Sequence, residues 1–549
     1  MQKQKYGKRF IALLLCCALL FAFSACDGGK SESPASSDGT GSGSEADGTP
    51  DQSGNQGGDN EQDAGAPQVG SARDTLNIAV TGDGGTLNYI KMMGGFVNVA
   101  RMFAEPLFDN DANMEKVWRL ATDIEEVSTS QWIIHLREGV KFSNGNPFTA
   151  ADVMFTLNYL KNDPMGFMYI PTFDLENSKI LDDYTIDLAI VGYQITQMDA
   201  LTMLYFFDEE SFDADSYALN PVGTGPYVVT DYVINSHVSM TANGNYWGEA
   251  PRIKNLQFKV LNEDTQRINA LQAGTVDVSG IPISEIGYVS GLPDFKVDTI
   301  MTGLCNNIVF NLSDNSVFKS LDARLAVSHA IDRDAIVSLV YDGHAAVTDY
   351  PVSMSAKDFE PRFANMHESY SVGHDVELAR QYAEKAGIVG QTVKIVTNGS
   401  SDYITIAEIV QANLKDIGVM AEINNYDAAS YYDVSNDPTM FDMSIYATAS
   451  PQKLVVGMLY SYVLYTPVLM DNEWEGKARF LALGEEVLAN PDVQARSDSV
   501  YEMVRIFVDA DLWYGICDTE NAVAYNSKLQ GVKFWSSGDF RYDEWYWTE

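Results

Sequence analysis

Cationic side chains are scarce in this 549-residue chain: 36 Lys and Arg stand against 76 Asp and Glu, a formal net charge of −40 with the six histidines neutral. That balance excludes nucleic acid as a partner, because affinity for it rests on cations that neutralise phosphates. It suits solubility outside a cell and attraction to cationic solutes. Cysteine is scarce too. Of five, Cys16, Cys17 and Cys26 crowd the N-terminus, which leaves Cys305 and Cys517 for the rest of the chain and at most one disulfide there. No HExxH, GxSxG or Walker loop occurs, so the chemistries those patterns carry have no foothold. The one long apolar run, Phe10 to Phe23, has about fourteen residues where a permanent membrane span needs roughly 17 to 25.

That run follows Lys3, Lys5, Lys8 and Arg9 and ends in Ser24-Ala25, the plan of an export signal. Phe23-Ser24-Ala25-Cys26 resembles the lipobox of bacterial lipoproteins, with Phe23 in place of the usual aliphatic residue. The resemblance implies removal of residues 1–25 and a lipid on Cys26, which would hold the protein on the outer face of the cell membrane. From Asp27 to Ser71 the chain is Gly, Ser, Asp and similar residues with no aromatic, and it cannot bury enough apolar surface to fold. Residues 26–72 thus read as lipidated cysteine plus linker, whose about 45 flexible residues would reach about 35 to 40 Å.

Residues 73–549 carry globular signals. LNIAVTG, 76–82, reads as a short buried strand. WIIHLREGVKFSNGNPFTAADVMFTLNYLKND gives an alternating strand, an Asn144-Gly145 turn and a helix whose Thr149 and Asp152 form a variant capping box. Residues 220–248 read as a hairpin turning at Asn235-Ser236. NLQFKVLNEDTQRINALQAGTVDV runs strand, helix, strand, with Gly274 as the helix stop. Further on, Asp332 and Asp375 suit N-caps and Gly343 and Gly387 C-terminal stops. TVKIVTN, ITIAEIVQANLKDIG and VMAEINNYD form a βαβ unit.

LREGVKFSNGNPFTAADVMFTLNY, NPVGTGPYVV, NGNYWG, LQFKVLNEDTQRINALQAGTVDV and LDARLAVSHAIDRDAIVSLVYDG occur here in one order. With them the chain resembles the family 5 extracellular solute-binding proteins, the peptide- and nickel-binding class that serves ATP-driven importers. The resemblance implies an α/β, two-lobed periplasmic-binding-protein-like fold with a two-strand hinge. Lobe one would be discontinuous, residues 73–303 plus 515–549 with an inserted subdomain at 110–215, and lobe two would be 304–514. It further implies a monomer without catalytic group or cofactor that closes on a peptide or similar small solute and presents it to an ABC permease. Three alternatives stay open: a metal-chelate receptor of the same family, an extracytoplasmic hydrolase, and a sensory receptor.

By position, the resemblance puts Asn88, Tyr89, Met92 and Met93 after the first strand, Tyr446 and Ser450 in the second lobe, and Trp513 and Tyr514 on a crossover at the cleft. Peptide-binding members place an aspartate after a motif like FDMSIY; here FDMSIYATASPQ has none beyond Asp442. Gly223, Gly225, Pro226 and Trp247 read as architecture. Asp109, Asp111 and Asn113 mimic the opening of a calcium loop, but Met114 stands where that loop needs Gly and Leu120 where it needs Glu, so a polar turn is expected. His367, Glu368 and His374 could ligate nickel only if a loop gathered them, and no metal site is assigned; His329 reads as a core or cap residue. Cys305 and Cys517 each fall on an implied crossover strand, either paired as a hinge disulfide or free and buried.

Overall fold

The computed structural model describes residues 71–83, 85–92, 97–111, 115–163, 166, 170, 172–348, 350–363, 373–448, 454–534 and 540–549. One eleven-stranded sheet runs through the molecule. Its strands are β1 (Thr75–Val80), β2 (Tyr227–Val233), β3 (His237–Ala242), β4 (Asn255–Val260), β5 (Val278–Ile281), β6 (Phe295–Phe310), β7 (Ala345–Val347), β8 (Thr392–Thr397), β9 (Met420–Asn425), β10 (Met443–Thr448) and β11 (Trp513–Asn526). Ten lie in the order β9-β8-β10-β6-β11-β5-β1-β4-β3-β2, and β7 pairs with β11.

Two strands are long enough to belong to both halves. The first part of β6, Phe295 to Met301, pairs antiparallel with the C-terminal part of β11, and its second part, Cys305 to Val309, pairs with the N-terminal part. Register shifts fall between Met301 and Cys305 and between Asn306 and Asn307. Gly303 there has φ 77°, a left-handed conformation that only glycine adopts freely. Bulges of this kind bend a strand and locally disrupt its ladder, so the β6–β11 pairing is interrupted where the halves meet.

Each half has its own core. One cluster joins buried residues from Ile308 to Cys517, including Phe310, Ile395, Ile445, Phe507 and Trp513. The other draws on Leu76, Phe103, Trp132, Leu188, Leu256 and Val278 and then, from the end of the chain, on Val523, Trp545 and Trp547. This is a discontinuous first lobe. A buried ion cluster holds its C-terminal piece: Arg541 contacts Asp543 at 2.7 Å and Asp109 at 3.6 Å, and Asp109 also meets Arg101 at 2.7 Å. Burial alone would raise the Asp109 carboxyl, but the three guanidiniums of Arg101, Arg541 and Arg119 outweigh it and hold the group below its ordinary value. Asp111 accepts from the Glu115 amide at 2.9 Å, the turn expected there.

An inserted four-stranded antiparallel sheet, Ala121–Ser128, Gln131–Leu136, Thr185–Ala189 and Lys179–Asp182 in spatial order, backs onto the lobe-one core. Trp132, Ile134 and Leu136 point inward along the second of these strands. The helix Ala150–Asn162 begins with the expected capping box: Thr149 Oγ1 accepts from the Ala151 amide and Asp152 accepts from the Thr149 amide at 2.8 Å. Asp332 and Asp375 cap their helices, accepting from Ala335 and Leu378. Gly387 ends its helix at φ 70°, whereas at the next expected stop Asp342 takes the cap position ahead of Gly343. The glycines of GTGPY do more than turn. A Cβ on Gly225 would lie 2.5 Å from the Phe103 carbonyl carbon, so two backbone segments touch there.

Candidate functional site: the interlobe crevice

In lobe one, β1 lies between β4 and β5 and is parallel to both. The chain leaves β4, crosses by helix α1 (Asp264–Gln272), and re-enters on the far side of β1 as β5. In lobe two, β8 lies between β9 and β10, again parallel to both, and helix α2 (Ser401–Asp416) carries β8 to β9 before the chain passes over to β10. Each arrangement is a switch point of an open α/β sheet. Ligands of such sheets bind in the crevice outside the carboxyl ends of the strands at that point.

The two switch points are within electrostatic reach of each other. Asp264, in the first turn of α1, acts electrostatically on Asp402, in the first turn of α2, across the lobe boundary. Ile283, just after β5, packs against both the lobe-two core and a smaller lobe-one cluster that includes Ala79, Leu271 and Ile281. Away from the hinge, Lys357 Nζ meets Asp199 Oδ1 at 2.8 Å and the Ile195 amide donates to the Leu488 carbonyl at 2.8 Å, joining the inserted subdomain to lobe two.

Tyrosines cluster beside the lobe-two switch point. Tyr446 on β10 is half-buried, stacks at 6.5 Å and 18° with Tyr431, and meets the edge of Tyr462 at 5.7 Å. Tyr403, on the first turn of α2, is close enough to Tyr431, Tyr462 and Asp402 to feel their charge. Burial first, then these neighbours, push the Tyr403 and Tyr446 phenols far above their ordinary range, so they stay neutral. Asp402 is half-buried. Burial raises its carboxyl, Asp264 raises it further, and only a long 3.5 Å contact from Ser401 Oγ opposes them.

Among the expected contacts that lie in the described residues, only Tyr446 sits beside this switch point with part of its surface free. Asn88 is buried and closes a turn by accepting from the Ile90 amide at 3.2 Å. Tyr89 packs on Tyr205 and Phe207, and Met92 lies in the lobe-one core. Trp513 is wedged between Phe507 and Tyr462 in the lobe-two core, and Tyr514 is enclosed with the Arg333 guanidinium 5.2 Å from its ring centre. Met93, Ser450, Cys26, His367, Glu368 and Asn113 lie outside the described residues. His374 contacts Asp332 at 3.7 Å, and His329 is buried and stacks on Tyr382, a core residue as expected. Asp402, Tyr403, Tyr431, Tyr462 and Asp264 escaped the sequence reading, although the switch-point rule applied to TVKIVTN and the helix after it points to the first turn of α2, where Asp402 lies.

Of the two outcomes left open for the hinge cysteines, the structure shows the unpaired one. Cys305 and Cys517 are free and buried. In the β6–β11 register Cys305 faces Asp518, while Cys517 faces Asn306. Successive side chains on a strand point to opposite faces, so a one-residue offset sends the two sulfurs to different sides of the sheet.

Two α/β lobes, a hinge of two continuous strands and a switch point in each lobe define the two-lobed binding-protein class. Residues 117–465 match the family described as bacterial extracellular solute-binding proteins, family 5 Middle, and the chain belongs to that family. An ABC transporter peptide-binding protein of Brucella ovis is 25% identical over 382 residues, 67% of this chain and 71% of its own length. The nickel-binding protein NikA of Staphylococcus aureus is 21% identical over 451 residues, 80% and 88% of the two chains. The oligopeptide-binding protein AppA of Bacillus subtilis, solved with a nonapeptide, superposes with a TM-score of 0.70 at 18% identity, covering 87% of this chain and all of that one.

Proposed function

We propose that this protein is the solute receptor of an ABC importer and that its solute is an oligopeptide or a molecule of similar size. One observation carries the reading: each lobe of a two-strand hinge has a switch point, and a cluster of tyrosines sits beside the one in lobe two. A solute held by both lobes has its full set of contacts only in the closed form, so its differential affinity moves the open–closed balance. Taking such a balance from 1:99 to 99:1 needs about 5.5 kcal/mol, within reach of aromatic faces and a few charged hydrogen bonds. No bond in the solute need change, and the reading assigns the chain no catalysis. The closed shape is what the permease would recognise. Cys26 would carry the lipid, residues 27–71 the reach from the membrane, and the folded body would work as a monomer.

The Brucella ovis relative and the nonapeptide held by the Bacillus subtilis protein favour peptide. The Staphylococcus aureus relative favours a nickel chelate as the second reading. Mass spectrometry of solute released by denaturing the purified protein, with calorimetry against peptide pools and nickel chelates, separates them. Peptide in the released fraction and heat with the pools are expected. Heat with metal chelates alone overturns the first reading in favour of the second.

A further inference from the structure

We propose, resting on the receptor reading above, that residues 195–201 of the inserted subdomain are a closure strap, which docks on lobe two off the hinge strands and sets how readily the receptor closes, whatever solute it carries. The strap has one end in each core. Ile195 is half-buried against the lobe-two cluster, and its amide donates to the Leu488 carbonyl there at 2.8 Å. Further along, Met198 packs against the lobe-one core and Leu201 lies within it. Between them Asp199 Oδ1 meets Lys357 Nζ of lobe two at 2.8 Å, with the two side chains 18% and 24% exposed. The helix Thr196–Ala200 fixes this division: Ile195 and Asp199, four residues apart, share the face toward lobe two, and Met198 and Leu201, three apart, share the adjoining one. Gln197 Oε1 accepts from the Gln194 amide at 3.2 Å and holds the start of the turn.

These contacts fail together. A hydrogen bond is lost once its atoms part by about 1 Å, and a swivel about β6 and β11 separates groups that meet across the lobe boundary, so opening breaks the amide bond, the ion pair and the apolar contact in one step. The strap therefore contributes to the closed form alone. It also reaches the tyrosine cluster. Asp358, next to Lys357, accepts from the Val455 amide at 2.8 Å and so anchors the first residue of the helix Val455–Tyr465, whose Tyr462 meets the edge of Tyr446 at 5.7 Å. Apparent affinity scales with the fraction of receptor in the binding-competent form, so the strap raises the affinity for any guest that needs closure, without touching it.

The experiment is X-ray scattering from the protein freed of carried-over solute by denaturation and refolding, for the wild type, Asp199→Lys, Lys357→Asp and the double variant with both changes. Each single variant sets like charges against each other and is expected to move the solute-free balance about five- to twentyfold toward the open form, seen as a larger radius of gyration. The double variant restores opposite charges and is expected to return toward the wild-type value, a rescue that mere damage to the subdomain would not give. Singles that scatter like the wild type, or a double variant as open as the singles, overturn the strap. Circular dichroism checks folding, and if a single variant fails to fold, Asp199→Asn and Lys357→Met make the comparison. In calorimetry with an oligopeptide pool, the singles are expected to lose affinity by the factor by which their closed fraction falls; affinity unchanged in variants that scattering shows to be open overturns the strap's control of affinity. A wild-type protein that binds no peptide overturns the peptide reading and not the strap, which scattering decides without solute.

Discussion

Asp518 gives the sharpest quantitative test of how the hinge is built. It sits on β11 opposite Cys305 of β6 and Ala346 of β7 and is fully buried. Its Oδ2 accepts from the Met354 amide at 2.6 Å and from Ser353 Oγ at 3.0 Å, while among the described residues its Oδ1 finds no hydrogen-bond partner. Burial therefore outweighs those two hydrogen bonds and pushes the carboxyl from 3.8 up to about 6. A group whose native pKa is raised binds its proton more tightly in the folded state. Its contribution is favourable below the unfolded value and is lost as pH climbs through the native one, here between about pH 4 and about pH 6. The rise corresponds to about 3 kcal/mol of lost stability once the group is ionised in both states.

Asp518→Asn keeps an acceptor for the Met354 amide and removes the proton linkage. Urea unfolding followed by tryptophan fluorescence at about pH 4 and about pH 7.5 should show the variant gaining about 2 to 3 kcal/mol on the wild type between the two conditions. Asp511, likewise buried and pushed up to about 7, titrates in both proteins and cancels from the difference. A difference that stays constant with pH refutes the reasoning, because it would mean that the Asp518 carboxyl is not held out of water.

Three further outcomes follow from particular contacts. Gly225→Ala places a Cβ 2.5 to 2.7 Å from backbone atoms of Met102, Phe103 and Ala104 and strains the 2.9 Å bond from the Gly225 amide to Phe103, so a loss of about 2 to 4 kcal/mol is expected; an unchanged urea midpoint contradicts it. Lys357→Met removes the partly buried pair with Asp199 that joins the lobes, worth about 0.5 to 1 kcal/mol. Solute-free protein should then shift about two- to fivefold toward the open form, and an unchanged radius of gyration by X-ray scattering contradicts that. Alkylation of denatured, unreduced protein should label both Cys305 and Cys517, and a disulfide-linked peptide in the digest would contradict the register argument.

Local chemistry made much of the fold legible. Thr149 with Asp152, Asp332, Asp375 and Gly387 act within a few residues of themselves, so spacing alone reveals them. The alternation at Trp132, Ile134 and Leu136 likewise shows the inward face of a strand. Crevice contacts are another matter. A position near a crossover says which strand carries Trp513 and Tyr514 but not which layer encloses them, and both are buried in the lobe-two core. Asn88 and Met92 fail to reach the crevice for the same reason: the loop after β1 folds inward, and Asn88 spends its side chain on its own turn. Asp402 was hidden because its meaning comes from Asp264, more than a hundred residues away and in the other lobe.

That pairing of carboxylates bears on how closure is triggered. The bulged segment of β6 and β11 offers little resistance to bending, and the Lys357–Asp199 pair and the Ile195–Leu488 bond already favour contact between the lobes. Left to those terms, an empty receptor would close and compete with loaded receptor for the permease. Asp264 and Asp402 act in the opposite sense, since bringing two carboxylates together in a partly desolvated crevice disfavours the empty closed form. A neutral substitute at residue 402 should then remove that repulsion and let the empty protein close more readily.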